Sequence, residues 1–520
     1  MSGPRRLPSW LALVFAAAGG FALDLASPSV AWWPAGMIGA LLILASVWHQ
    51  RAMLGCVAGA VAGAAFWLPH ISWLTLYLGP IPWLALSTVM IAWFALFGLL
   101  AAITTRALNA LRWPLWARIL AQAFAVAGLW VLREQLQSTW PYGGFAWGRL
   151  AHTVAESPLV SVVSWIGFAG LTGAMALACA LIIAVAFGRG RSLPAVALVS
   201  LLTVSAVSCG LLVTPAPLES LGSVRVAAVQ GNSKSGIFDD RENGDVFQDH
   251  LDTTRTLIEQ LEASDQTVDV IVWPENSAEF QITELHERLR ALRALSRRAD
   301  APIVVGAILR DEGEVYTNSS LVISASSSID ERYDKRRPVP FAEYMPNRDF
   351  FHALVPDLVD LVQLDYAFGQ RSAVLTVPTR NGDVLACIAI CSDVIFDEHV
   401  VAMSADGAEV MFAQTNNADF GETDESAQQL QIARLRAVET GRALVNISTV
   451  GTSAIVAPDG SDLDALTPFT ADAMVAEVPL VTGNTPAMTY GAGIAALWMV
   501  IGITGVLLAG AIRLAKRTRG

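Results

Sequence analysis

The stretch Val384–Phe396, VLACIAICSDVIF, decides how the chain is read. Its small and β-branched apolar residues up to Ile390 read as a buried strand, which stops abruptly at Cys391-Ser392-Asp393. A cysteine leaving the carboxyl end of a buried strand sits where α/β sheets expose reactive groups. Alone, such a cysteine is more often a small core hydrophobe. Two upstream stretches change that balance. Val268–Glu275, VDVIVWPE, is another apolar strand, and it ends on a carboxylate. Arg332-Tyr-Asp-Lys335, followed by Pro338-Val-Pro-Phe-Ala-Glu343-Tyr344, places a cation and a second carboxylate between the two. A base, a cation and a thiol at the ends of successive elements form a nucleophile set.

The composition places this set inside an unusual chain. Only 15% of the residues are charged and 54% are hydrophobic, against about 25% charge for a soluble protein. The charge is unevenly distributed. Residues 215–485 hold 43 of the 46 acidic and 20 of the 34 basic residues, a net −23, and the remainder is +11. Of 16 tryptophans only Trp273 lies in the acidic segment, and tryptophan beside long apolar runs is a mark of membrane interfaces. The reading is a membrane domain, residues 1–214, an inserted soluble domain, 215–485, large enough for its own core, and a C-terminal span with a basic tail, 486–520.

Apolar runs able to span a bilayer occur at about 9–26, 30–48, 52–73, 80–104, 115–133, 158–187, 193–213 and 490–512, about eight spans in all. With the N-terminus inside, Arg5, Arg6, Arg51, Arg106, Arg112, Arg118, Arg189, Arg191, Arg513, Lys516, Arg517 and Arg519 fall on one side and only Arg133 and Arg149 on the other. Basic residues mark the cytoplasmic side, so the soluble domain is expected outside the cytoplasm. Gly55, Gly59 and Gly63 make a small-residue face suited to a close helix crossing. The segment Arg133–Gly148 reads as an outside loop whose interleaved glycines and aromatics, Trp140, Tyr142 and Trp147 among them, suit contact with lipid.

In the soluble domain, strands are expected at 224–230, 268–273, 302–309, 319–324, 384–390, 408–414, 443–448 and 453–457, with helices at 246–264, 281–299 and 426–441. Alternating strands and helices indicate an α/β fold. The five cysteines are Cys56, Cys179, Cys209, Cys387 and Cys391. Cys387 and Cys391, four apart on one strand, are about 13 Å apart, too far for a disulfide.

Chemically, a free thiol is mostly protonated at neutral pH and needs a base or a positive field. Glu275 is the candidate base, better suited if burial raises its pKa. Lys335 is the candidate to hold the oxyanion of a tetrahedral intermediate, with the Ser392 backbone N–H as second donor, and Glu343 is placed to hold Lys335 or Glu275. The seven histidines are scattered and Asp393, Asp397 and Glu398 read as helix caps, so no metal and no cofactor are expected. There is no P-loop or G-x-S-x-G elbow, and no nucleic-acid partner is expected. The segment 344–368, with Tyr344, Met345, Phe350, Phe351, Leu354, Leu361, Leu364 and Phe368, is dense in apolar residues for a loop. Exposed, these residues would form a membrane-contact patch.

The ordered set WPE, YDK, PFAEYMP and the strand end IC resembles the nitrilase superfamily. With Gln429–Gly460 and the membrane-embedded flanks, the chain resembles the bacterial apolipoprotein N-acyltransferase family over nearly its whole length. The resemblance implies an α-β-β-α sandwich for the inserted domain, with Glu275, Lys335 and Cys391 as triad and Glu343 as supporting carboxylate. It also matches the loop carrying Trp147 to a Gly-Phe-x-Trp stretch near the catalytic domain. The implied reaction moves a fatty acyl chain from a membrane phospholipid, through a thioester on Cys391, to the α-amine of a diacylglyceryl-cysteine apolipoprotein. The implied location is the bacterial inner membrane, with the catalytic domain on the extracytoplasmic side. Two departures adjoin the site. Ser392-Asp393 stands where the family commonly has Tyr-Glu, and Asp419 stands where it has Trp before Phe420-Gly421. The rival readings are a membrane-tethered amidase using water as acceptor, and a transporter or scaffold with a degenerate nitrilase domain.

Overall fold

The computed structural model describes residues 5–188, 210–236, 239–326 and 329–517. It divides into two compact units, Met1–Thr214 with Thr489–Gly520, and Pro215–Met488.

The first unit is helical: α1 (Ser9–Leu25), α2 (Pro34–Val47), α3 (Ala52–His70), α4 (Leu74–Leu78), α5 (Pro80–Asn109), α6 (Leu115–Gln137) and α7 (Val163–Phe187), joined at the far end of the chain by the helix Pro486–Arg517. Among the described residues, Ala52–His70, Pro80–Asn109, Leu115–Gln137, Val160–Phe187 and Pro486–Lys516 are long and apolar enough to cross a membrane. The runs expected at 9–26 and 30–48 are helices of 17 and 14 residues, about 26 and 21 Å long at 1.5 Å per residue. Both fall short of the roughly 30 Å hydrocarbon core. The run at 193–213 lies almost wholly outside the described residues.

The small-residue face of α3 makes the close crossing its spacing predicts. A Cβ on Gly59 would lie 2.2 Å from the Phe94 carbonyl oxygen on α5, and one on Gly98 would lie 2.2 Å from the Gly55 oxygen. One boundary differs from expectation. Arg133 and Glu134, read as the start of a loop, belong to α6 and are buried, 5% and 2% exposed. The Glu134 carboxylate accepts from Trp130 Nε1 at 2.8 Å, Arg133 at 2.9 Å, the Leu150 N–H at 3.0 Å and Thr172 Oγ1 at 2.9 Å. Four donors compensate its burial, and the Leu150 bond fastens the end of the aromatic loop to α6.

The second unit is built on two six-stranded sheets. The first has the order β12-β1-β2-β3-β4-β5, and the second β11-β10-β9-β8-β7-β6. The strands of the first are β1 (Glu219–Gln230), β2 (Val270–Val272), β3 (Ile303–Asp311), β4 (Val315–Ile323), β5 (Glu331–Asp334) and β12 (Asp472–Thr482). The second holds β6 (Val374–Thr379), β7 (Gly382–Ile390), β8 (Val410–Thr415), β9 (Leu444–Ser448), β10 (Ala454–Val456) and β11 (Asp462–Ala465). The β1-β2-β3 and β7-β8-β9 neighbours run parallel. On the first sheet, α8 (Asp245–Ala263) and α9 (His286–Ala299) bury Phe247, Leu251, Ile258, Leu289, Leu292 and Leu295 at helical spacing against Ile271, Trp273 and Val305. Beside the second sheet lie α12 (Asp397–Ala405) and α13 (Glu425–Thr440), the latter buried along almost its whole length. Between β5 and β6 run two short helices, α10 (Arg348–His352) and α11 (Pro356–Val359). The arrangement is the α-β-β-α sandwich that the resemblance implies.

Strands β5, β6, β11 and β12 lie outside the sequence expectation. β12 contains Pro479, which suggests a strand break. It is an edge strand paired antiparallel with β1, Pro479 opposite Ser223, where a missing N–H is tolerated. β5, ERYD, is only four residues and reads as a charge run, yet Tyr333 is fully buried.

Candidate active site

Glu275 lies just beyond β2, where the chain turns through Trp273-Pro274. The turn packs so closely on β3 that a Cβ at Gly306 would come within 2.5 Å of the Pro274 oxygen and 2.7 Å of Glu275 Cα, so only glycine fits. The turn is also tied across the sandwich, since Gln414 Nε2 on β8 donates to the Trp273 carbonyl at 2.6 Å. Lys335 follows β5 directly. Its N–H donates to the Asn318 carbonyl on β4 at 2.8 Å, and its own carbonyl accepts from the Gly369 N–H at 2.9 Å. Cys391 follows β7 directly, as the first residue of a single 3-10 turn, Cys391–Ile395.

The side chains converge. Lys335 Nζ, 1% exposed, lies 2.9 Å from Glu343 Oε2 and 3.6 Å from Glu275 Oε1. Asn318 Nδ2 donates to both carboxylates, 2.7 Å to Glu275 Oε1 and 2.9 Å to Glu343 Oε1. The Val339 N–H donates to Glu343 Oε2 at 2.6 Å, which anchors that carboxylate and leaves it facing the lysine. The half-buried Cys391 feels the charges of Glu275, Lys335 and Glu343. Its φ of +48° is in the left-handed region, costly for a residue with a Cβ and a recurrent feature of functional turns. The Ser392 N–H falls in the first turn of the short helix, where no intrahelical acceptor exists.

Electrostatics sort the roles. Burial raises the pKa of Glu275 above the ordinary carboxylate range, and the Lys335 charge, the Asn318 bond and the Asn416 N–H pull it partly back. Burial opposes the charge of Lys335, but Glu343 and Glu275 outweigh it and hold the ammonium well above its usual pKa. Burial, then the Glu275 charge, push the Cys391 thiol well up, against the pull of Lys335. The resting arrangement is therefore a protonated thiol, a permanent cation and a base tuned toward neutrality, the set that general-base activation of a nucleophile requires. Cys387 contrasts with it. Its side chain is buried within β7 against His399 Nε2 at 3.4 Å, and burial raises its thiol pKa.

Asp393, buried at 2%, caps the turn as expected, accepting from the Ile390 N–H at 3.2 Å. It also accepts from Tyr333 Oη at 2.8 Å, which staples the strand carrying the lysine to the turn carrying the thiol. Arg436 on α13 closes the same turn from the other end, donating to the Val394 and Ile395 carbonyls at 2.9 Å each. Among the described residues no cluster of three or more His, Cys, Asp or Glu is arranged to hold a metal.

The other sequence candidates are distributed. Tyr344 packs edge-on against Phe368, ring centroids 5.1 Å apart. Met345 is buried with Val359 and Val362, whereas Phe350, Leu354, Leu361 and Phe368 stay exposed, 61%, 63%, 42% and 50%. The segment thus holds a small core of its own and an apolar outer face. Asp419 and Phe420 form a 3-10 turn after β8, with the Asp419 carboxylate against Gly236. In the helical unit Trp140 is exposed and Tyr142 partly so, but Trp147 is buried, stacked on Phe145 at 5.8 Å and tilted against Trp73 at 5.8 Å. Trp147 is thus part of that unit's core and not of its surface.

Sequence reasoning missed Asn318, Tyr333, Asn417, Glu425 and Gln429. The signal for Asn318 was a run of four polar residues, Thr317–Ser320, inside the otherwise apolar VYTNSSLVI. For the last three the only signal was a polar run, Asn416 to Gln431, whose burial requires a use.

Residues 225–485 match the carbon-nitrogen hydrolase family, and residues 19–181 match the apolipoprotein N-acyltransferase N-terminal domain. An apolipoprotein N-acyltransferase of Mycolicibacterium smegmatis is 31% identical over 519 residues, covering 94% of this chain and 84% of the relative. One of Azotobacter vinelandii is 27% identical over 514 residues, covering 97% and 95%. Among solved structures, an amidase of the nitrilase superfamily from Nesterenkonia AN1 is 17% identical with a TM-score of 0.38, covering 54% of this chain and 99% of the amidase. With a helical domain and a carbon-nitrogen hydrolase domain both matched in their proper order, and full-length relatives at this identity, the chain belongs to the apolipoprotein N-acyltransferase family.

Proposed function

We propose that this protein is a membrane enzyme that transfers a fatty acyl chain from a phospholipid to the N-terminal amine of S-diacylglyceryl-cysteine in apolipoproteins. The observation that carries the reading is the buried Glu343–Lys335–Glu275 array facing a cysteine at a strand end, in a chain whose helical segment matches the family's own N-terminal domain.

In the first step Glu275 takes the thiol proton, and the Cys391 sulfur attacks the ester carbonyl. The negative oxygen that forms is stabilised by Lys335 and the Ser392 N–H. The C–O bond then breaks, Glu275 returns the proton to the leaving alkoxide, and lysolipid departs from a thioester. In the second step the acceptor amine attacks the thioester carbonyl and loses its proton to Glu275. The C–S bond breaks, the thiolate regains the proton, and an amide is released. Glu343 keeps Lys335 charged and in place throughout.

A membrane enzyme with lipid substrates at both steps should exclude water. The acyl-enzyme formed from phospholipid is expected to persist in buffer and to discharge only when a diacylglyceryl-cysteine peptide is added. The measurement is the loss of the acyl-enzyme mass with and without peptide. Rapid discharge without peptide, releasing free fatty acid, would instead identify a hydrolase. The outer apolar face of 344–368, with Phe350 and Leu354 above 60% exposed, and the loop bearing Trp140 and Tyr142 are the candidate lipid contacts.

The orientation follows from the twelve basic residues that one topology gathers on a single side. Catalytic domain outside and both termini inside the cytoplasm is the proposed arrangement, in the inner membrane. Reporters fused at residue 300 and at residue 520 should report opposite compartments. The same compartment for both would refute an even number of spans.

A further inference from the structure

Glu425 is a buried carboxylate that the two-step mechanism leaves without a role. It is the first residue of α13 and only 3% exposed. Its Oε2 accepts from Asn417 Nδ2 at 2.7 Å, and the same nitrogen donates to Gln429 Oε1 at 3.0 Å. The opposite end of the Asn417 amide is held as well, its Oδ1 accepting from Ser448 Oγ at 2.6 Å and Thr415 Oγ1 at 3.1 Å. Both ends of Asn417 are therefore committed, and its rotation is fixed. That in turn fixes Gln429. With its oxygen engaged by Asn417, its nitrogen must face the other way, and Nε2 donates to Cys391 Sγ at 3.6 Å.

We propose that Glu425 is a positioning residue which, through Asn417 and Gln429, aims an amide N–H at the Cys391 sulfur and so supports its thiolate. The proposal rests on the reading of Cys391 as the nucleophile. A side-chain amide can present either end. The end with the oxygen would repel a thiolate, and the end with the nitrogen stabilises it. The relay from Glu425 selects the second.

The ionisation of Glu425 has a separate consequence. Burial raises its pKa to about 8, with Glu275, on the segment after β2, as the charged group acting on it. On the sulfur side Lys335 and Glu343 act on Cys391, and the Glu425 charge itself disfavours the thiolate. Below about pH 8 Glu425 is neutral and adds nothing to the burial and Glu275 charge that already oppose the thiolate. Above it, the carboxylate works against the thiolate.

The test is the rate of acyl-enzyme formation from phospholipid by the full-length protein, read by mass. Glu425→Gln keeps an acceptor for Asn417 and cannot ionise. The ratio of its rate to that of the wild type should rise about three- to tenfold between pH 7 and pH 9, the effect of a thiol pKa shift of roughly half to one unit. A merely structural role would leave that ratio flat. Glu425→Leu and Gln429→Leu each remove one end of the relay and should each slow acylation about tenfold, the span of one well-placed hydrogen bond. The double variant should be no slower than either single. Additive losses, or a flat pH ratio for Glu425→Gln, would overturn the proposal. Cys391→Ala run alongside separates the two readings. If it still forms acyl-enzyme, the nucleophile assignment fails. If it is inert while the Glu425 and Gln429 variants behave as wild type, only the relay fails.

Discussion

Cys391→Ala is expected to abolish the acyl-enzyme and reduce acyl transfer to background, a loss of about 10⁴-fold or more, as for nucleophiles that act as one unit with their base. Cys387→Ala is expected to leave acylation largely intact. The two cysteines share one strand and one chemistry, and their surroundings differ. Cys387 is fully buried within the sandwich beside His399, with burial raising its thiol pKa. Cys391 stands one residue past the strand, in a left-handed turn, within the fields of Glu275 and Lys335. Mass spectrometry after incubation with phospholipid distinguishes them, since the acyl group should appear on the peptide holding Cys391 and vanish in that variant alone. An acyl group on Cys387 would refute the assignment. No acyl-enzyme on the wild-type protein itself would favour a scaffold with a degenerate catalytic domain.

Lys335→Met should slow acylation by about 100- to 1000-fold through the loss of one oxyanion donor, and it should do so without weakening phospholipid binding. It carries two further signatures. The ammonium is 1% exposed between two carboxylates, so its removal leaves buried charge unpaired, at about 3–5 kcal/mol of stability. It also removes the main influence that lowers the Glu275 pKa. Glu275 must be ionised to accept the thiol proton, and burial already places its pKa above the usual carboxylate range. The rate should therefore fall as pH drops through that raised value, and in Lys335→Met this acid limb should move to still higher pH. Lys335→Met combined with Glu343→Gln should recover part of the lost stability, since one of the two stranded charges is gone, and none of the lost rate. A thermal melt and a pH–rate profile of both variants separate the structural cost from the chemical one. Wild-type rates in Lys335→Met would eliminate its oxyanion role.

Much of the site was legible because the reaction needs particular groups at particular places in the fold. A strand that buries both faces must be apolar, so a carboxylate or a thiol at its end marks the point where the chain emerges from the core. Glu275 after VDVIVW and Cys391 after VLACIAI are visible for that reason. Lys335 was harder, because β5 is four residues long and its lysine sits beside two arginines like an ordinary charged surface. It was singled out as the cation between a strand-end carboxylate and a strand-end thiol, and the resemblance to a family strengthened that reading. The membrane helices were legible from hydropathy, but their ends were not. The apolar count stops at Arg133, whereas α6 continues to Gln137 because Glu134 finds four donors inside the bundle.

The sequence by itself determined the class of the molecule: an apolar helical segment, an acidic α/β domain inserted before the last span, and three reactive groups at element ends. Those follow from local composition and periodicity, which depend only on near neighbours in the chain. The tertiary structure alone decided which polar residues work together. Asn318 joins Glu275 to Glu343, Tyr333 reaches Asp393 across 60 residues, and Asn417 links Glu425 to Gln429 beneath the thiol. A buried amide or carboxylate must find a partner, but nothing in its own neighbourhood says which. The partner is chosen by how two sheets stack, through contacts that no local pattern encodes.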